Sequence, residues 1–253
     1  MLSAKVKDLF SGHAKEYAAF RPKYPDAFVK YISRLVKYRG VVWDCACGNG
    51  QFSLPLAEHF QLVLASDISE KQIAAAPGHK GILYTVQPAE KTDFPDEFFD
   101  MVVVGQAIHW FNHDAFYREA NRVMGPNAVI AAIGYGLMRI SPEVNAVLDH
   151  FYKNITGPYW EPERKYIDDS YKTLPFPFET IEVPLFEMPC QWTFEQMMGY
   201  LNTWSAVKKY EKENGINPLT LVAGDFEKVW GGATFKQVVF PLFVKAGRKL
   251  NSI

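Results

Sequence analysis

The feature that most constrains this chain is Asp44-Cys45-Ala46-Cys47-Gly48-Asn49-Gly50, set directly after the apolar run Val41-Val42-Trp43. A loop so poor in bulky side chains can turn sharply and bring its backbone close to a ligand. Residues 52–60 then read as the start of a helix, whose free N–H groups would face the same place. Strand, tight turn and helix in that order describe a nucleotide-type cofactor site. Glycine-rich turns also form for purely steric reasons, so a lone Gly-x-Gly decides little and the rest of the chain must decide.

The flanking sequence repeats the same unit. Before the loop, Phe28, Tyr31, Ile32, Leu35 and Val36 have the spacing of an amphipathic helix that Gly40 ends. After it, strands are expected at 62–67, 82–86, 101–104 and 129–133, with helices between them. Asp67 closes the second strand, and Ser69 with Gln72 forms a capping-box signature for the next helix. A carboxylate there lies beside the loop across two parallel strands and can accept both hydroxyls of a ribose. The third connection, Gln87-Pro88-Ala89-Glu90, reaches the same side. The fourth strand ends at Gly105-Gln106-Ala107-Ile108-His109-Trp110, and Asn112 caps a helix that Gly125-Pro126 is expected to stop. Five strands alternating with helices imply an α/β, doubly wound parallel sheet with its ligand over the carboxyl ends of the strands.

Beyond Gly136 the rhythm changes. Ser141-Pro142 opens a helix to about residue 152, and aromatic, proline-rich connections come next at 157–162 and 174–178. Thr193 with Gln196 is a second capping box, starting one helix that runs to Asn214-Gly215 and puts Met197, Leu201, Trp204 and Lys208 on one face. A further helix is expected from Asn217-Pro218 to Trp230, then a strand at 235–244. Pro184 and Pro241 fall in expected strands and imply bulges or interruptions there. We read a single domain over 1–253, with the cofactor-binding core in 1–136 and an acceptor-pocket elaboration plus the last strands in 137–253.

Bulk properties narrow the partners. With 27 basic and 28 acidic residues the net charge is −1, and no run of Lys and Arg is interleaved with aromatics, so no nucleic-acid partner is expected. Residues 1–12 lack an apolar leader, and no stretch reaches the roughly 18 apolar residues of a membrane helix, which makes a soluble cytoplasmic protein the expectation. Cys45, Cys47 and Cys190 are odd in number and lack zinc or redox spacing, and so read as small buried residues. His109 and His113 stand four apart without a third ligand at a suggestive spacing, so no metal is expected. Gly48-x-Gly50 with a downstream acid partly imitates the dinucleotide fingerprint of an NAD(P)-dependent oxidoreductase. The third glycine would then fall at Ser53, and no second half-site is apparent.

On these residues the chain resembles the class I S-adenosylmethionine-dependent methyltransferases, in the small-molecule branch called methyltransferase type 11. Asp44 to Gly50 is similar to that family's cofactor loop, Asp67 to its ribose acid, and Gln106 to Trp110 to its motif after strand four. Phe10-Ser11 through Tyr17, Arg21-Pro22 and Tyr24-Pro25 resemble its N-terminal segment. Gly157-Pro158-Tyr159-Trp160-Glu161-Pro162 and Tyr200 to Ala206 resemble the trans-aconitate methyltransferase group.

The resemblance implies a seven-stranded, mostly parallel sheet with one reversed strand, S-adenosylmethionine as donor, and S-adenosylhomocysteine as product. It also implies a small-molecule acceptor pocket under C-terminal aromatic elements. Tyr17, Arg21, Asp44, Ala46, Cys47, Gly48, Asn49, Gly50, Asp67, Ile68, Gln72, Ala89, Glu90 and Gln106 are the implied cofactor residues, with Arg21 pairing the donor's carboxylate. Acceptor candidates are Tyr17, Gln106, His109, Trp160 and Trp204. Ala46 replaces the family's first loop glycine, a change compatible with binding if its φ is negative. Pro88 stands where a polar residue often meets the adenine amino group, leaving the Ala89 amide for that contact. The expected reaction is O-methylation of a small organic acid carboxylate, which needs no general base because a carboxylic acid of pKa about 4 arrives ionised. Methylation of a hydroxyl or amine, or a catalytically idle cofactor-binding protein, are the other readings.

Overall fold

The computed structural model describes residues 22–249. Two compact units are built from this span: a sheet unit of residues 22–139, 162–190 and 238–249, and a helical unit of 140–161 and 191–237.

The sheet contains β1 (Val41–Cys45), β2 (Leu62–Asp67), β3 (Ile82–Val86), β4 (Phe99–Gly105), β5 (Met124–Tyr135), β6 (Glu179–Ile181), β7 (Phe186–Trp192) and β8 (Lys236–Arg248). Their order is β3-β2-β1-β4-β5-β8-β6, and β7 also pairs with β8. The first five strands are parallel, while β8 runs antiparallel to β5 and β6. Val42, Trp43, Met101, Val102, Val103, Ile130 and Ala131 are fully buried, as parallel strands covered on both faces require. At the start of β1, Asp100 Oδ2 accepts from the N–H groups of Gly40 and Val41, both at 2.9 Å. The chain winds outward through β2 and β3 on one side of β1 and through β4 and β5 on the other. The switch point therefore lies at the carboxyl ends of β1 and β4, where ligands bind in such sheets.

Several expected boundaries move. The segment around Pro184 is interrupted, as its proline implied, and divides into β6 and β7, which brings the sheet to eight strand segments. Pro241 is exposed and lies just beyond the last β5 pair, Tyr135 with Leu242, where no ladder hydrogen bond is required of it. The helix does end just before Gly125-Pro126, but no loop follows it. The helix His113–Val123 passes directly into β5 at Met124, and the ladder slips between the pairs Phe99 with Met124 and Met101 with Val129. This bulge absorbs Pro126 and the left-handed Asn127, φ 61°.

In the helical unit, the Thr193–Gln196 capping box is complete, with both reciprocal hydrogen bonds formed. The single helix expected from it is two, Phe194–Asn202 and Ser205–Asn214, because Trp204 leaves the helical region at ψ 134° and caps the second. The helix expected after Asn217 is likewise a 3-10 turn, Pro218–Leu221, and then Ala223–Trp230. The helix Pro142–His150 continues as a wider turn over Phe151–Ile155. Among the described residues, no helix is long and apolar enough to cross a membrane.

Candidate functional site

The loop after β1 is built as its composition demands. Ala46, Gly48 and Gly50 have φ of 56°, 56° and 78°, three left-handed residues within five positions. Cys47 N–H donates to Ser66 O at 3.0 Å, continuing the ladder towards β2, and Gly50 N–H donates back to Cys47 O at 3.0 Å to close the turn. At Gly50 a side chain is excluded twice over, by φ and by the Tyr84 ring, 3.0 Å from where a Cβ would stand. A negative φ was the condition on which Ala46 could stand in for glycine, and its φ is positive. Its left-handed backbone costs an L-residue about 1–2 kcal/mol, most of which a glycine would spare. Ala46→Gly is expected to raise Tm by about 2 °C, the net of relieved strain and a more flexible unfolded chain. Thermal unfolding measures this.

Asp67 is positioned by the β1–β2 pairing and does two things at once. Oδ2 accepts from the Gly48 N–H at 2.9 Å, and Oδ1 accepts from the Ser69 N–H at 2.8 Å. The carboxylate thus braces the loop after β1 and the start of the helix Glu70–Ala74, which Ser69 caps through Gln72 N–H. Gln72 is buried, its Oε1 3.9 Å from a Cβ placed on Gly48, while the neighbouring Ile68 is exposed. Loop, Asp67 and Gln72 are therefore one constellation.

Beneath the loop, Asp44 is 1% exposed and accepts a 2.5 Å hydrogen bond from Ser53 Oγ. Burial pushes its carboxyl from 3.8 up to about 7; the Ser53 bond opposes this and the Asp67 charge adds to it. Tyr84 reaches the same place from β3, its phenol pushed up to about 12, mainly by burial. Cys45 and Cys47 are buried and their thiols are pushed upward, again mainly by burial, which makes them packing residues.

The third connection is in reach of the turn after β4, because Asn112 N–H donates to Glu90 Oε1 at 3.1 Å. Pro88 is exposed and Ala89 buried. Gln106 follows β4 with φ 56°; its Nε2 donates to Tyr135 O at 3.0 Å and its N–H to Ile133 O at 2.8 Å. Its side-chain donor thus fastens β5. Tyr24 enters from the N-terminal side, its ring 4.4 Å from Phe52 and its hydroxyl 3.1 Å from a Cβ placed on Gly105.

His109 sits in the 3-10 turn Ile108–Trp110, whereas His113 begins the next helix, so the two do not share a helical face. His113 Nε2 is 3.0 Å from Ile108 O. Among the described residues no three His, Cys, Asp or Glu gather as metal ligands. His109 is 6% exposed, its ring 4.7 Å from Trp110 and its Nδ1 3.4 Å from the Tyr171 hydroxyl. Burial first, and then the charges of Arg164 and His113, lower its pKa to about 3. It is a neutral imidazole at physiological pH. Arg164 and Tyr171 had no signal in the sequence, since neither belongs to a motif and both return to this turn from more than fifty residues away.

Tyr17 and Arg21 lie outside the described residues. In the helical unit, Trp204 is 5% exposed and packs against Phe151, Tyr152, Trp160 and Tyr200 at centroid distances of 5.4–6.0 Å. This favours a packing role for Trp204, while Trp160 is only partly buried.

Comparison with known proteins identifies the family. A family model described as a methyltransferase domain matches residues 43–132. A Dictyostelium discoideum protein named as a methyltransferase is 32% identical, over 97% of this chain and 96% of its own. A type II methyltransferase structure from Anaeromyxobacter dehalogenans is 41% identical with a TM-score of 0.86, covering 92% of this chain and all of that one. A Haemonchus contortus phosphoethanolamine N-methyltransferase, solved with phosphomonomethylethanolamine and S-adenosylhomocysteine, shares the fold alone. Its identity is 16% and its TM-score 0.50, over 96% of this chain and 60% of that one. The oxidoreductase reading falls with these relationships, and the chain belongs to the class I S-adenosylmethionine-dependent methyltransferases.

Proposed function

We propose that this methyltransferase acts on a small organic acid and methylates a carboxylate oxygen. The observation that carries the reading is His109: the polar side chain on the turn after β4 is buried, neutral and, at a pKa of about 3, a poor proton acceptor at pH 7. The Arg164 cation acts on the same imidazole. A site of this kind suits an acceptor that is already an anion and needs donors and positive charge rather than a base. The likeness of residues 157–162 and 200–206 to the trans-aconitate group points the same way.

The residues fit the donor. Gly48 and Gly50 leave backbone where side chains would obstruct, and Asp67 stands at the end of the neighbouring strand to receive ribose hydroxyls. Gln72, Ala89 and Glu90 are the proposed neighbours of the base and ribose, and Asp44, once it ionises, is the proposed negative charge under the loop. S-adenosylmethionine supplies a methyl group activated by a sulfonium. The protein's own contribution is alignment of the acceptor and exclusion of water, with no proton to move. His109 and Gln106 are the acceptor-side candidates among the described residues of the sheet unit.

The test is a metabolite panel with methyl-labelled donor. Label is expected in mono-, di- or tricarboxylic acids, in products that alkali cleaves as esters. Label confined to amines or phenols overturns the carboxylate reading, and the search for a base reopens.

A further inference from the structure

Tyr171 is held with more force than a packing residue requires. Its side chain is fully buried, edge-on to Phe243 at 5.0 Å between centroids. A phenylalanine would fill the same space, so the hydroxyl calls for a separate explanation. Ser170 and Tyr171 are consecutive left-handed residues, φ 58° and 62°, neither of them glycine. Such strain persists only where the surroundings over-determine it. Here the Tyr171 N–H donates to Tyr166 O at 2.7 Å. Lys245 Nζ, reaching across from β8, donates to the carbonyls of Tyr171 (3.1 Å), Lys172 (3.3 Å) and Leu174 (2.8 Å). The product of this bracing is a phenol delivered to His109 Nδ1.

The direction of that contact is set by satisfaction of buried groups. Burial pushes the Tyr171 phenol upward, so it keeps its proton at physiological pH. Among the described residues, His109 Nδ1 is the one hydrogen-bond partner of the hydroxyl. If Nδ1 carried the ring proton, the buried O–H would have no acceptor, which native interiors avoid. If the phenol donates, both groups are satisfied and the neutral ring carries its proton on Nε2. We propose that Tyr171 is a positioning residue that fixes the Nε2–H tautomer of His109, so that the imidazole meets the methyl acceptor as a hydrogen-bond donor. The second half of this statement rests on the reading of His109 as an acceptor-side residue; the first does not.

A donor on this turn selects for acceptors that present lone pairs, such as carboxylate oxygens. It discriminates against protonated amines, which would set donor against donor. The Arg164 charge, which acts on the ring while Arg164 Nε stands 3.6 Å from Asp168 Oδ1, works in the same direction.

The experiment is nitrogen NMR of the imidazoles in the full chain, with His109→Gln used to assign the His109 signals. The expected spectrum shows His109 neutral with the proton on Nε2. Tyr171→Phe should turn this into a mixture of tautomers, leave the far-ultraviolet dichroism unchanged, and raise KM for the acceptor about three- to tenfold without changing KM for the donor. A native His109 protonated on Nδ1 overturns the proposal, and so does a tautomer unaffected by Tyr171→Phe. The wild-type spectrum alone suffices if the variant does not fold. His109→Gln with unchanged acceptor KM would instead remove His109 from the acceptor site while leaving the tautomer result standing, so the two failures are distinguishable.

Discussion

Replacing Asp67 with alanine is expected to weaken binding of S-adenosylhomocysteine by about a hundredfold to ten-thousandfold. That range corresponds to two lost hydrogen bonds to a charged group at about 1.5–3 kcal/mol each, taken with about 1.4 kcal/mol per tenfold in affinity. The structure adds a second route to the same loss. Asp67 already holds the Gly48 and Ser69 N–H groups, so its removal frees the loop as well as the proposed ribose contact. Asp67→Asn separates the two effects: one amide oxygen can still brace Gly48, whereas the charge is gone. An intermediate loss for asparagine and a full loss for alanine is the expected order. Calorimetric titration reads both, and circular dichroism confirms the fold. Alanine binding within threefold of wild type would remove Asp67 from the site.

That Asp67 could be named at all reflects which parts of a fold are local. Adjacent parallel strands joined by one helix obey a near-fixed geometry, so the loop after β1 and the acid ending β2 are neighbours by rule. Strands β2 and β3 are also found at the expected limits, because apolar runs bounded by glycine or polar loops leave little choice. The failures have equally specific causes. Gly125-Pro126 carries a turn signal, yet a bulge lets both residues sit inside β5, a matter of pairing with β4 that no short window contains. Trp204 continues the apolar face of its helix but caps the next one, in an aromatic cluster that decides its backbone. Ala46 carries no mark of its positive φ, which is imposed by loop closure around it. Tyr171 and His109 are 62 residues apart and meet because the 162–190 segment folds back onto the sheet unit. The pairing of the loop after β1 with Asp67 was legible, therefore, and the neighbours of His109 were not.

The pH dependence of binding should expose Asp44. With a pKa of 3.8 in the unfolded chain and about 7 when folded, this carboxyl binds its proton more tightly in the native state. The sign comes from linkage: its contribution to stability is complete below pH 4 and is lost as pH rises towards and through 7, amounting to about 4 kcal/mol against the charged form. Asp44→Asn removes that slope, so the variant's stability relative to wild type should improve between pH 5 and pH 8. Binding works in the opposite sense. A donor that carries a sulfonium and an ammonium group favours the ionised carboxylate, so its binding expels the Asp44 proton. Affinity for S-adenosylmethionine is then expected to climb up to tenfold per pH unit from about 5.5 to 7 and to flatten above. Asp67, Tyr84, Cys45, Cys47 and Ser53 are the other polar groups that act on Asp44 or on which it acts. The Tyr84 phenol and the Cys47 thiol are both pushed upward, away from that window, and the Ser53 hydroxyl does not titrate in it. Calorimetry at pH 6.5 in buffers of different ionisation enthalpy should count about three quarters of a proton released by wild type and almost none by Asp44→Asn. Equal proton release from the two proteins would show that the acid beneath the loop does not sense the donor's charge, and its burial would then serve only to fold the turn.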